Sequence, residues 1–150
     1  MKKLLLILMF SILSFAETLN VGDTFPTITL DDQFEKTHTI SLESNKVLVA
    51  YDKSMSTILK EFLLAKEDDF LTKNKTVYIG DISGMPSLIS RFFAIPKMKK
   101  YPFSILFLDD KNRNAFSKKE DFISVYTLEN GKVKTLTHVS SKEELENLFK

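Results

Sequence analysis

The stretch KVLVAYDKSMSTILKEF, residues 46–62, decides the fold. Its first six residues are a near-continuous apolar run, the pattern of a strand covered on both faces. Beyond it, Met55, Ile58, Leu59, Phe62 and Leu63 fall at the spacing of a helix with one buried side. Ser54 stands where a hydroxyl accepts from an amide of the first turn, which makes it the expected N-cap. A buried strand running straight into an amphipathic helix is the building unit of a layered α/β domain.

The flanking segments extend that unit in both directions. FPTITL (25–30) and THTISL (37–42) alternate apolar and polar residues around the polar stretch DDQFEK, which predicts an N-terminal hairpin. TVYIGDI (76–82) is a second buried strand. A further helix is expected after Gly84, with Pro86 in its first turn, Met85, Leu88, Ile89, Phe92 and Phe93 as its buried stripe, and Pro96 as its stop. FSILFL (103–108), FISVYTL (122–128) and KVKTLTHV (132–139) read as three more strands, the last two joined by a turn at Glu129-Asn130-Gly131. Ser141 and Glu144 form a capping box ahead of Leu145, Leu148 and Phe149. The expected fold is a three-layer α/β sandwich with a mixed central sheet and an N-terminal hairpin, in one domain over residues 17–150.

The chain opens MKKLLLILMFSILSFA: two lysines, an unbroken apolar run from Leu4 to Phe10, and Ser14-Phe15-Ala16 as a small-x-small cleavage site. That is the pattern of a secretory signal peptide over residues 1–16, cut after Ala16. The run is shorter than the roughly 20 residues that span a bilayer, and no later stretch is long enough. An exported chain in the periplasm, with no transmembrane segment once mature, is the expectation. Loss of Lys2 and Lys3 takes the net charge from +1 to −1, a balance that argues against nucleic acid as a partner. The chain has no cysteine, which excludes thiol redox chemistry, thioether haem attachment and cysteine metal sites.

Chemistry-bearing residues gather at the start of the first helix: Asp52, Lys53, Ser54, Ser56 and Thr57. Free amides at such a position favour an anion, and a capped helix with no ligand is the plain alternative. Of the two histidines, His38 alternates with Ile40 and Leu42, and His138 with Leu136, the positions of structural residues in strands. Asp110, Asn112, Asn114 and Asp121 echo a calcium loop, but Ala115 replaces its glycine, and a polar turn accounts for them. Lys97, Lys99, Lys100 and Tyr101 form a basic cluster that suits a helix C-terminus. No catalytic residue, metal site or cofactor is expected.

These segments resemble secreted thioredoxin-fold proteins of the TlpA and peroxiredoxin type. The resemblance is carried by VGDTFPTITLDDQ at the start, by KVLVAYDKSMSTILKEF, and by SVYTLENGKVKTLTHVSSKEELENLF at the end. KKYPFSILFLDDKNRNAF together with that last segment is similar to the YtfJ-like family of periplasmic proteins. The resemblance implies a thioredoxin-like fold. It also puts Ser56 and Leu59 where redox members hold their cysteine pair, and Phe122 where they hold a cis-proline. Two functional expectations follow. One is a non-redox binding module whose groove near Ser56 and Phe122 takes a periplasmic protein or a small ligand. The other is an enzyme that works without thiols, through Ser56 or Thr57 with Asp52 and Lys53.

Overall fold

The computed structural model describes residues 18–150, so the signal peptide expected over 1–16 lies outside the described residues. Five strands form the central sheet in the order β5-β4-β3-β6-β7. At its centre is β3 (Lys46–Ala50), with Val47, Leu48, Val49 and Ala50 all completely buried. Its neighbours are β4 (Thr76–Gly80), parallel, and β6 (Ile123–Glu129), antiparallel. β5 (Leu106–Phe107) runs parallel to β4 at one edge, and β7 (Lys132–Val139) antiparallel to β6 at the other. The mixed sheet is therefore as expected, although FSILFL contributes only two residues to it. Asn130 (φ 51°) and Gly131 (φ 74°) make the turn between β6 and β7; two consecutive positive φ angles are what a two-residue hairpin loop with the right twist requires.

Strand alternation divides the core in two. Leu48 and Ala50 face a layer of helices: α1 (Lys53–Leu64), the short α2 (Phe70–Lys73) and α5 (Lys142–Leu148). α1 buries Met55, Leu59, Phe62 and Leu63, as its periodicity predicts. Leu145 of α5 is fully buried in the same cluster. Val47 and Val49 face the other way, onto Phe25, Ala115, Phe116 and the hairpin of β1 (Ile28–Asp31) with β2 (Thr37–Ile40). The third layer is thus a hairpin and loop, not a second set of helices.

That hairpin also closes the β5 edge of the sheet. Asp32 bridges Leu106. Gln33, fully buried, accepts from the Ile105 amide at 2.8 Å and donates to the Phe103 carbonyl at 2.7 Å. A glutamine amide stands in for a missing strand, leaving fewer unpaired backbone groups at the edge.

Two expectations about local structure are corrected. The N-cap of α1 is Asp52, not Ser54: the Asp52 carboxylate accepts from the Met55 amide at 2.9 Å, and Ser54 is exposed within the first turn. Aspartate and serine cap about equally well, so which of the two caps depends on where the strand ends. The second correction concerns residues 87–98. The helix there forms as α3 (Ser87–Ile89), a π-helical turn (Ser90–Ala94) and α4 (Ile95–Met98). Pro96 does not stop it. In the wide turn the Ile95 amide donates to the Ser90 carbonyl, five residues back, and the changed register accepts a residue with no amide hydrogen. Nor is its apolar stripe buried: Leu88 is 69%, Phe92 61% and Phe93 72% exposed.

Candidate functional site

Parallel pairing brings the C-terminal ends of β3 and β4 side by side, and the Asp81 amide donates to the Ala50 carbonyl there at 2.9 Å. The chain then leaves in two directions, into α1 from one strand and toward the 87–98 helix from the other. A groove of about 670 Å³ lies between them. One wall is polar: Asp52, Lys53, Ser56, Thr57 and Lys60. The facing wall is apolar, with Met85, Ile89, Phe93 and Met98, and Lys97 at its edge. Tyr78 and Tyr101 also line the groove. Crevices of this size beyond strand C-termini are usual places for ligands in α/β sheets.

The groups in the groove are mostly satisfied within the protein. The Asp52 carboxylate already occupies a first-turn amide, and its negative charge sits where an anion would bind. The Thr57 hydroxyl donates to the Lys53 carbonyl at 2.8 Å. Burial pushes the Tyr78 phenol up to about 12; the Ser56 hydroxyl beside it acts in the opposite direction, and Tyr101 adds to the rise. Tyr51, between β3 and the Asp52 cap of α1, carries a buried hydroxyl with no hydrogen-bond partner. Burial, then Tyr126 and Asp81, raise it well above the ordinary tyrosine value. Among the described residues, no histidine or carboxylate side chain hydrogen-bonds Ser56 or Thr57.

Of the six expected site residues, four line the groove: Asp52, Lys53, Ser56 and Thr57. Ser54 is exposed outside it. Phe122 is not among its lining residues; its ring meets His138 edge-on at 6.4 Å, with Lys119 Nζ 4.2 Å above it. His138 has a buried Nε2 without a partner, and burial together with Lys119 lowers its pKa. Asp81 and Tyr78 went unnoticed in the sequence. The signal was present, since β4 ends at Gly80 next to the strand that feeds α1, but only pairing makes it visible.

A second cluster was also missed. His38 Nε2 lies 2.6 Å from Asp32 Oδ2, and the Asp32 side chain is only 1% exposed. The Asp32 Oδ1 accepts from the Phe34 and Lys36 amides at 2.8 and 3.1 Å, tying the hairpin turn. Burial acts to raise the Asp32 pKa, but His38, the two amides and the Ser104 hydroxyl together hold it below the ordinary aspartate value. His38 and Ser104 line a small cavity of about 240 Å³. No group of three or more metal-ligating side chains occurs among the described residues.

No protein-family model matches the chain, and no curated protein is significantly similar in sequence. Solved structures do match. The thioredoxin domain of a thiol-disulfide oxidoreductase of Bacteroides vulgatus superposes with a TM-score of 0.52 at 13% identity, over 89% of this chain and 100% of that one. StoA of Bacillus subtilis gives 0.55 at 12% identity, over 83% and 97%. Peroxidoxin BcpB of Mycobacterium tuberculosis gives 0.53 at 14% identity, over 86% and 93%. The fold is thioredoxin-like. At such identities the likeness extends to the fold and not to activity.

Proposed function

On a thioredoxin-like fold with no cysteine, we propose that this chain is an exported, non-redox binding module. Its groove between α1 and the 87–98 helix takes an extended peptide segment or a small apolar ligand with a polar end. The observation that carries this reading is the groove itself: about 670 Å³, apolar on one wall and polar on the other. That volume suits a ligand of drug size or a few residues of peptide. In the catalytic alternative no base is hydrogen-bonded to either hydroxyl: Thr57 donates to a backbone carbonyl and Ser56 lies beside a buried tyrosine. Export rests on the pattern of residues 1–16 and on the resemblance to YtfJ-like periplasmic proteins.

Peptides selected on the purified protein from a displayed library test the groove. Ser56→Tyr and Met85→Asp, which fill it and charge it, should each weaken a selected peptide at least about tenfold. Phe122→Ala, off the groove, should leave affinity unchanged. Equal binding to all three variants places the site elsewhere. Sequencing the N-terminus of the chain recovered from the native periplasm tests export; a start at Glu17 is expected, and a chain beginning at Met1 in the cytosol overturns it.

A further inference from the structure

The 87–98 helix carries four of the eight large apolar side chains that stand exposed among the described residues: Leu88, Ile89, Phe92 and Phe93. Residues four apart stack along a helix, so Leu88 with Phe92 and Ile89 with Phe93 form one continuous stripe. Ser90, Ala94, Ile95 and Met98 are half-buried on the side turned to the protein. The inward side is supplied by these four residues, with Met98 packed against the core, and Leu88, Phe92 and Phe93 are left in solvent.

The charge carried by this segment is one-sided. Residues 82–108 contain Arg91, Lys97, Lys99 and Lys100 and not one Asp or Glu. All four cations are exposed, and none forms an ion pair among the described residues. In the rest of the chain carboxylates are plentiful, so their absence from this segment is a local feature; Asp52 and Asp81 line the groove on its inner side. An apolar stripe rimmed by unpaired cations matches a surface that is anionic outside and hydrocarbon beneath. A second copy of this chain fits poorly. A two-fold interface centred on Leu88 and Phe92 would lay this carboxylate-free segment, with its four cations, against itself.

We propose that this face docks the protein onto a bilayer bearing anionic headgroups. Leu88 and Phe92 enter the headgroup region while Arg91, Lys97, Lys99 and Lys100 meet lipid phosphates. The face borders the groove, sharing Ile89, Phe93 and Lys97 with it, but Leu88, Phe92, Arg91, Lys99 and Lys100 do not line the groove and test the face separately from the groove reading.

The chain has no tryptophan, which makes a clean reporter possible. Phe92→Trp supplies one fluorophore on the stripe. Its emission should shift to the blue on vesicles of phosphatidylglycerol and phosphatidylethanolamine, but not on phosphatidylcholine alone. Lipids brominated near the headgroup should quench it. In sedimentation with the anionic vesicles, Leu88→Ser with Phe92→Ser should lower partitioning at least about tenfold. Arg91→Gln with Lys99→Gln and Lys100→Gln should lower it similarly and flatten its dependence on salt. Three results overturn the proposal. One is no blue shift on anionic vesicles. Another is vesicle binding that the Leu88→Ser/Phe92→Ser pair leaves untouched, which assigns binding to another part of the chain. The last is a dimer in sedimentation velocity that the same pair dissolves, which makes the face an interface between copies.

Discussion

Gln33 sits in what reads as a solvated turn, DDQFEK, yet it is 1% exposed and bonds Phe103 and Ile105 some seventy residues away. Polarity in a short loop is a poor guide to exposure when the residue can replace backbone pairing. Gln33→Met keeps the volume and removes the bonds, stranding a buried amide and carbonyl. The expected loss is about 2–3 kcal/mol by chemical denaturation; wild-type stability in the variant would show the edge satisfied by other means. Its neighbour Asp32 makes the fold acid-sensitive. A carboxyl held low in the fold and ordinary in the unfolded chain adds stability above about pH 4, which fades as pH falls through its folded value. The melting temperature of wild type should therefore drop more steeply between about pH 5 and pH 2 than that of Asp32→Asn. Parallel slopes would remove Asp32 from the acid response.

At the level of elements, caps and turns divide into those that patterns reveal and those that they do not. The capping box of α5 forms as read: Ser141 Oγ accepts from the Glu144 amide at 3.2 Å, and the Glu144 carboxylate reaches back to the Ser140 amide at 2.7 Å. The cap of α1 lies at Asp52, two residues before the serine the pattern points to, and the difference is measurable. Asp52→Ala should cost about 1 kcal/mol, while Ser54→Ala stays within about 0.5 kcal/mol; the opposite ranking would restore Ser54 as the cap. Gly131→Ala should cost about 1–2 kcal/mol in urea melts, from its left-handed backbone more than from contact, since the nearby Leu42 is exposed and free to swing away. The 87–98 helix shows the limit of periodicity. Its apolar spacing is that of any core helix, and nothing in the spacing says which side will find a partner.

The whole molecule is unevenly built. Its centre, β3 between β4 and β6, is completely enclosed, whereas the 87–98 helix has its large residues in solvent. Amide exchange should follow: the amides of Val47–Ala50 open only with global unfolding, and those of 87–98 exchange at least about a hundredfold faster through local opening. Equal protection in the two regions would mean that the helix is held by more than its half-buried side. If that face lies on lipid, anionic vesicles should slow exchange there and leave β3 unchanged.

Strands, helices, hairpins and the absence of thiol chemistry were settled by residue order alone, because alternation, helical spacing, Asn-Gly turns and composition act over a few neighbours. The buried strand, the amphipathic helix and the glycine turn of residues 46–62 and 129–131 are legible in this way. Four of the six expected site residues, Asp52, Lys53, Ser56 and Thr57, share a groove for the same local reason: they belong to one helix start. Phe122 was placed by register, and register carries no information on what faces what across an end of the sheet. The apolar wall, the Asp32–His38 pair, the Gln33 clasp and the outward turn of Leu88, Phe92 and Phe93 were decided only by tertiary structure. Each depends on which distant segment occupies the adjacent space, and a π turn at Ser90–Ala94 is enough to change the side a helix presents.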